Sequence, residues 1–511
     1  MRNKFINKAS FLLLIILSYS SISFFYAHQH LNGHWTALID QEMVLAYNSL
    51  LFNSGIEQEF VDHSGYFTFL TTSLYYKILN YFNIIEVYKF SQIYDYNLEE
   101  IFENSIYHLR FFSIYITIVT LVTATYLFDL LFKNKTYSFF LVIILFFLFG
   151  NLALLSDTRT EQFSILFTLL SLIGLFNFFE KNKLIYFIIF LFFIFCSILN
   201  KSQVIFQLPL ILLYSFYINK KPISLNFEFL ERLNINKLLI YVFVFFFVFL
   251  TLKSLVFLRD YKSWIFLIAI LSFLNFFFLK ISDKKKRSNN VLILNYSIIV
   301  SYFFFNIIIF LHPSASLLSL EKTIFAVIKY TSVYNSDISN VSFFEFILNL
   351  IKILLTNFTY ILNKFFFSIN SYSIILFGSI IIFLLNLKLY SRNDKKVIIA
   401  LLFSVFGIFS INLIKGDQPQ YYSYIDYVIV MLLGFVLKDL KKKFSICYLT
   451  MFIILVFYLN IYKNHNNPLK KVYSDQTVSI CNDYRINENN FLTTWQKKIP
   501  LNKFDEFCFD K

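Results

Sequence analysis

The chain is built from apolar runs of about 20 residues, the length of helix that crosses the roughly 30 Å hydrocarbon layer of a bilayer. Only helices and closed barrels satisfy their own backbone groups in lipid. A barrel needs alternating segments of about ten residues, which are absent, and nine Gly with six Pro are too few for its turns. Only 15% of the 511 residues are charged, against about 25% in soluble domains, so the chain cannot be divided into water-soluble units. The reading is an all-α polytopic membrane protein.

The net charge of +14 resembles a nucleic-acid signal until its residues are placed along the chain. They fall between apolar runs, at Arg2, Lys4 and Lys8, Lys133 and Lys135, Lys181 and Lys183, Lys220 to Lys237, Lys284 to Arg287, Lys388 to Lys396, and Lys438 to Lys443. By the positive-inside bias these clusters mark the cytoplasmic side. The charge therefore reports topology, and no nucleic-acid partner is expected. With that alternation the spans fall at 9–27, 110–132, 137–155, 162–179, 184–199, 204–218, 238–257, 264–281, 291–311, 371–388, 397–414, 423–438 and 444–462. That is thirteen, with the amino terminus inside and the tail outside. The first run has no small-residue cleavage site and is read as a retained helix.

The chain thus divides into a transmembrane catalytic unit, 1–462, and a small outer domain, 463–511. Two long outer loops interrupt the first, at 28–109 and 312–370. Within the second, 341–366 carries Glu345, Asn349, Lys352, Thr356 and Asn363 as one polar stripe, which fits a helix lying in the outer interface. The rival reading is a fourteenth span. Cys481 and Cys508 both fall in the outer tail, where an oxidising compartment lets them pair, at about 3 to 4 kcal/mol on the chain-entropy model; two free thiols remain the alternative.

Polar residues are expensive at membrane depth, so their gathering points mark function. Asp129 and Lys253 are the charges read as lying well inside runs. The rest crowd the outer loops. The loop 28–109 opens with Asp40-Gln41-Glu42, starts an amphipathic helix there, stops it at Ser54-Gly55, and continues with Asp62-His63-Ser64-Gly65-Tyr66. Asp40 and Asp62 equally suit helix caps, and His63 alone suits a solvated histidine. The acidic stretch from Glu86 to Glu103 reads as a solvated face.

A first span followed by an outer acidic pair, an amphipathic helix and an Asp-His-x-Gly-Tyr turn resembles the GT-C superfamily of membrane glycosyltransferases. Within it, the likeness is to protein mannosyltransferase-like and aminoarabinose-transferase-like enzymes of glycosyltransferase family 39. The likeness covers the whole topology, including interfacial helices in the first large loop and an outer carboxy-terminal domain. Where the family often has His-Pro, this chain has His63-Ser64. The resemblance implies inverting transfer of a sugar from a polyprenyl-phosphate carrier to a hydroxyl on a lipid, glycan or protein, at the outer face of a bacterial inner membrane.

Such chemistry needs a base for the acceptor hydroxyl and positive charge for the phosphate. Asp40 is the candidate base, with Glu42 as its partner or substitute. A divalent cation between the two is left open, but two carboxylates alone do not define a metal site. For substrate binding the resemblance implies Asp62, His63, Tyr66, Arg159, Lys201, Lys415 and Tyr421. Arg110, at the outer start of the second run, is expected to pair with a loop carboxylate, and Arg159 or Lys201 can instead pair with Asp157 or Glu161. Arg259, Lys262 and His312-Pro313 are weaker candidates. The rival classes are a lipid-linked glycan flippase or other transporter, and a polysaccharide ligase or polymerase.

Overall fold

The computed structural model describes residues 15–25, 31, 33–38, 42–56, 59, 65–156, 158–181, 184–201, 204, 355, 356, 359, 370–415, 419–440, 442–463, 475, 477, 478, 481, 499 and 501–508. The spans expected at 204–218, 238–257, 264–281 and 291–311, and the stripe at 341–366 apart from three residues, lie outside them. So do Asp40, Asp62, His63, Asp157, Arg259, Lys262 and His312-Pro313.

Every regular element among the described residues is helical: α1 (Ile15–Phe25), α2 (Val44–Asn53), α3 (Tyr66–Tyr81), α4 (Leu98–Phe132), α5 (Lys135–Phe147), α6 (Phe149–Ser156), α7 (Thr160–Lys181), α8 (Leu184–Asn200), α9 (Ser371–Leu385), α10 (Arg392–Lys415), α11 (Pro419–Leu437), α12 (Lys442–Phe457) and α13 (Leu501–Cys508). The segments Leu98–Phe132, Thr160–Phe178 and Phe444–Ile461 are long and apolar enough to cross a membrane. The pair α5 and α6 makes a fourth when counted as one bent span, and α1, α9 and the segment Tyr421–Leu437 are apolar but shorter. The chain is a helical membrane protein.

Two packed regions share this frame. The larger is the bundle core, where α11 sits centrally with Tyr424, Ile425, Ile429, Leu432 and Val436 fully buried. The second is a head formed by the first loop and the tail, in which Trp35 stacks on Phe102 at 5.9 Å and meets Phe507 at 5.4 Å. Cys481 and Cys508 are disulfide-bonded within that core. Among the described residues, Lys133 and Lys438 lie at the opposite end. There Lys133 pairs with Glu180 at 3.5 Å, Lys438 pairs with Asp394 at 2.5 Å, and the Tyr137 hydroxyl donates to the Gly434 carbonyl at 2.7 Å.

Local sequence explains the helix ends. Asn97 caps α4 by accepting from the Glu99 amide, and Glu99 and Glu100 complement the helix dipole. The second run therefore starts twelve residues before the expected 110, because its first three turns carry polar residues that a hydropathy reading assigns to the loop; of these Glu100 and Glu103 are exposed. Small residues let α7 and α8 approach closely. Ser164, Thr168 and Ser197 bond across the hairpin, and a Cβ on Gly174 would lie 2.8 Å from the Phe190 amide.

The expected straight span 137–155 is corrected: it is broken at Leu148, and α5 and α6 meet at 71°. A break inside lipid frees backbone groups that must be satisfied by protein. The Phe147 carbonyl accepts from Asn460 Nδ2 at 2.8 Å, and the Gly150 amide donates to the Tyr372 hydroxyl at 3.0 Å. Asp426 Oδ2 accepts from the Asn151 amide and from Asn151 Nδ2, both at 2.8 Å, while its Oδ1 accepts from Tyr372 at 2.7 Å. Asp426 also corrects the inventory of charges inside runs, which held only Asp129 and Lys253.

Gly150 lies so close to α11 that a Cβ would come within 2.2 Å of the Ser423 amide nitrogen. No rotamer relieves a clash with backbone. Gly150→Ala is expected to cost more stability than Asp426→Asn, which keeps the volume and one acceptor. Asp426→Ala, leaving the Asn151 groups unsatisfied, should lose about 1–3 kcal/mol. Thermal melts of the three variants in one detergent check this order.

Candidate functional site

One end of the bundle, formed by α4, α7 and α8, holds two charge pairs that water barely reaches. Glu42, fully buried at the entry to α2, faces Arg110, the thirteenth residue of α4 and 4% exposed. Arg110 Nε lies 3.2 and 3.0 Å from the two carboxylate oxygens, and Nη2 lies 2.8 Å from Oε2. Nη2 also donates to the His34 carbonyl at 3.1 Å, and Nη1 donates to the Gly33 carbonyl. All three guanidinium nitrogens are thus engaged. The expected pairing of Arg110 with a loop carboxylate is found at Glu42, a candidate for the base itself.

The second pair joins helix ends. Lys201, 3% exposed after α8, lies 2.9 Å from Glu161, in the first turn of α7 and also 3% exposed. Thr160 Oγ1 donates to the other Glu161 oxygen at 3.2 Å. Beside them Asn200 fixes the entry to α3: its carbonyl accepts from the Gly65 amide at 2.9 Å, and its Oδ1 accepts from the Thr68 amide and hydroxyl, each at 2.9 Å. Gly65 has φ +39°, and a Cβ there would meet Thr160 Cγ2 at 2.8 Å. Gly65 and the start of α3 are in this way tied to the residues that flank the Lys201–Glu161 pair.

The other candidates distribute around these pairs. Tyr66 packs edge-on against Phe52 at 5.6 Å, and burial pushes its hydroxyl above the ordinary tyrosine range. Arg159 is half-buried just before α7, next to Thr158, whose hydroxyl donates to the Leu109 carbonyl at 3.2 Å. Lys415 ends α10, and Tyr421 is buried near the start of α11. Glu42, Arg110, Thr158, Glu161, Lys201 and Tyr66 therefore share that end of the bundle. Asp40 lies outside the described residues, two positions before Glu42.

Sequence reasoning passed over three polar groups. Asp426 was detectable as a lone carboxylate inside an apolar run, which is a functional signal by default. His34 and Asp475 meet at 3.3 Å across 441 positions, and no local pattern links them. The sequence matches no protein-family model and no curated protein.

Removing one member of a dry pair strands the other. Arg110→Ala should lower stability by about 3–5 kcal/mol, and Glu42→Gln by less. The double variant should be less destabilised than the sum of the two single changes. A double-mutant cycle from chemical denaturation in micelles reads that coupling, and additive losses would mean that the pair contributes nothing.

Proposed function

We propose that the chain is an integral-membrane glycosyltransferase of about thirteen spans, GT-C-like in fold, which moves a sugar from a polyprenyl-phosphate donor to a hydroxyl acceptor at the outer face. The observation carrying this reading is the pair of buried cations, Arg110 and Lys201, each held by a carboxylate at one end of the bundle. An acceptor oxygen attacks the anomeric carbon opposite the phosphate, the bond from that carbon to the phosphate oxygen breaks, and polyprenyl phosphate leaves with the electron pair. Glu42 is held by Arg110, so Asp40 is the acidic-pair member left to take the hydroxyl proton. Arg159, half-buried beside the two pairs, suits the leaving phosphate.

The first loop also supplies the interfacial helix such a fold needs. Exposed Leu74, Ile78, Tyr81 and Phe82 share a free apolar face on α3, with Lys77 among them. The start of α3 packs into the spans, with Phe67 on Phe167 at 5.5 Å, eight residues into α7. That depth favours a face in the lipid boundary of a bacterial inner membrane, with the site towards the periplasm. Ile78→Trp should be quenched by lipids brominated near the headgroup.

One observation favours transport instead. A broken span is a feature of secondary transporters, and Asp426 of α11 lies against the break between α5 and α6. The assay that decides offers radiolabelled polyprenyl-phosphate sugar to purified protein in vesicles. Transfer is expected for the wild type, with kcat about 10²–10⁴-fold lower in Asp40→Asn. Lipid movement without transfer supports the flippase.

A further inference from the structure

The acidic stretch from Glu86 to Glu103 is folded around a cavity of about 480 Å³ on the head. Glu100, Glu103, Asn104 and Tyr107 of α4 line it, a spacing that places them on one helix face. Glu86 and Tyr96 contribute from the segment before α4, and buried Val87 and Ile101 add apolar wall. Small-molecule sites have volumes of roughly 300–1,000 Å³ and the same mixture of apolar surface with a few placed polar groups. Tyr107 stands three positions before Arg110, so the cavity begins about one turn of α4 beyond the Arg110–Glu42 pair.

Three carboxylates line this cavity, and none of its lining residues is a cation. The dipole of α4 accounts for Glu100, in the first turn, but not for Glu103 in the second or for Glu86 outside the helix. Tyr96 reports the resulting potential: Glu86 chiefly, then partial desolvation, Asp95 and Glu100, holds its hydroxyl above the ordinary tyrosine value. Lys503 of α13 reaches the Tyr96 carbonyl at 3.5 Å, but it is paired with Glu506 at 3.1 Å and does not line the cavity. A second observation is independent of charge. Ser105 lines the same cavity and is 2% exposed. Its carbonyl accepts from Tyr76 at 2.9 Å, while its hydroxyl has no hydrogen-bond partner among the described residues. A buried hydroxyl without a partner is costly, and a donor in the cavity satisfies it.

The carboxylates do not converge on a point. Among the described residues, no three acidic or other ligating side chains are placed to hold a metal ion. Negative charge spread along a wall that also carries aromatic rings suits a cation of the same extended form. Its ammonium groups pair with carboxylates or sit over the rings, and the methylenes between them cover apolar surface. We propose that the cavity binds a small organic polycation, an aliphatic chain carrying two or three ammonium groups. The ammonium groups meet Glu86, Glu100 and Glu103, the chain runs along Val87 and Ile101, and one N–H donates to the Ser105 hydroxyl. This site goes beyond the transferase reading and does not depend on it.

Equilibrium dialysis of radiolabelled spermidine against the full chain in neutral-detergent micelles tests the site. Wild-type protein should bind it saturably, and more tightly at low ionic strength, because the three carboxylates are exposed to solvent. The double change Glu86→Gln with Glu103→Gln should weaken binding about tenfold, and Ser105→Ala a few-fold. Glu180→Gln, beside Lys133 at the opposite end of the bundle, should leave it unchanged. Glu86 and Glu103 are exposed, so their amides keep the fold, which thermal melts verify. Magnesium chloride should displace spermidine no better than sodium chloride of the same ionic strength. Three results overturn the proposal: no saturable binding, a double variant that binds as tightly as wild type, or displacement by magnesium beyond that by sodium.

Discussion

A guanidinium buried at one end of the bundle organises the described residues around it. Arg110 is helical, so its position is fixed by α4, while its partners Gly33, His34 and Glu42 belong to the loop. Leaving that charge unpaired at membrane depth is costly, so Gly33, His34 and Glu42 are held against α4. Trp35 is thereby set against Phe102, the entry to α2 is placed, and a surface forms on which Phe507 of α13 packs. A salt bridge of this kind adds little net stability over apolar packing. What it adds is register: the loop has one arrangement in which both charges are satisfied.

The break between α5 and α6 obeys the same constraint with backbone groups in place of a side chain. Three freed groups find partners on the π-helical turn Tyr458–Lys463 and on α9 and α11, elements more than 200 residues away in sequence. The bend requires the absence of a side chain at Gly150, since α6 rests against the backbone of α11. Once bent, α6 delivers Leu154 to α4, where its carbonyl accepts from Ser113 and Gln162. Thr158 and Arg159 follow soon after, so the kink sets where the half-buried arginine enters the end of the bundle that holds Arg110 and Lys201.

Run length and charge alternation were enough to read a helical membrane protein and to place α4, α7, α8, α10 and α12 to within a few residues at most ends. They were enough because burial in lipid is a local property of composition. Arg110 was legible as a cation seeking a carboxylate, since its position at a run boundary is itself the signal. Its choice of Glu42 was not, because sequence does not say which of several loop acids reaches it. The bend at Leu148 was hidden by its surroundings, as Phe and Leu on both sides give the same hydropathy to a straight helix and a broken one. Lys201 and Glu161 were each visible at a helix end, and their contact was one of the alternatives weighed. The meeting of His34 with Asp475 depends on the tail folding back onto the first loop, a long-range event with no periodic trace.

The depth of Asp426 bears on which class of protein this fold serves. It lies seven residues from the start of α11, about 10 Å along the helix at 1.5 Å per residue. The hydrocarbon layer is about 30 Å thick, so a helix starting at one boundary puts this carboxylate about 10 Å below that face and about 5 Å from the midplane. Transporter sites sit near the midplane, where either side can reach them in turn. Here the oxygens of Asp426 are engaged by Tyr372 and Asn151, which leaves the carboxylate acting on the helix break. Its depth is that of a transporter site, and its partners are those of a structural support: the carboxylate holds the break between α5 and α6 in place, below the end of the bundle that carries Arg110 and Lys201.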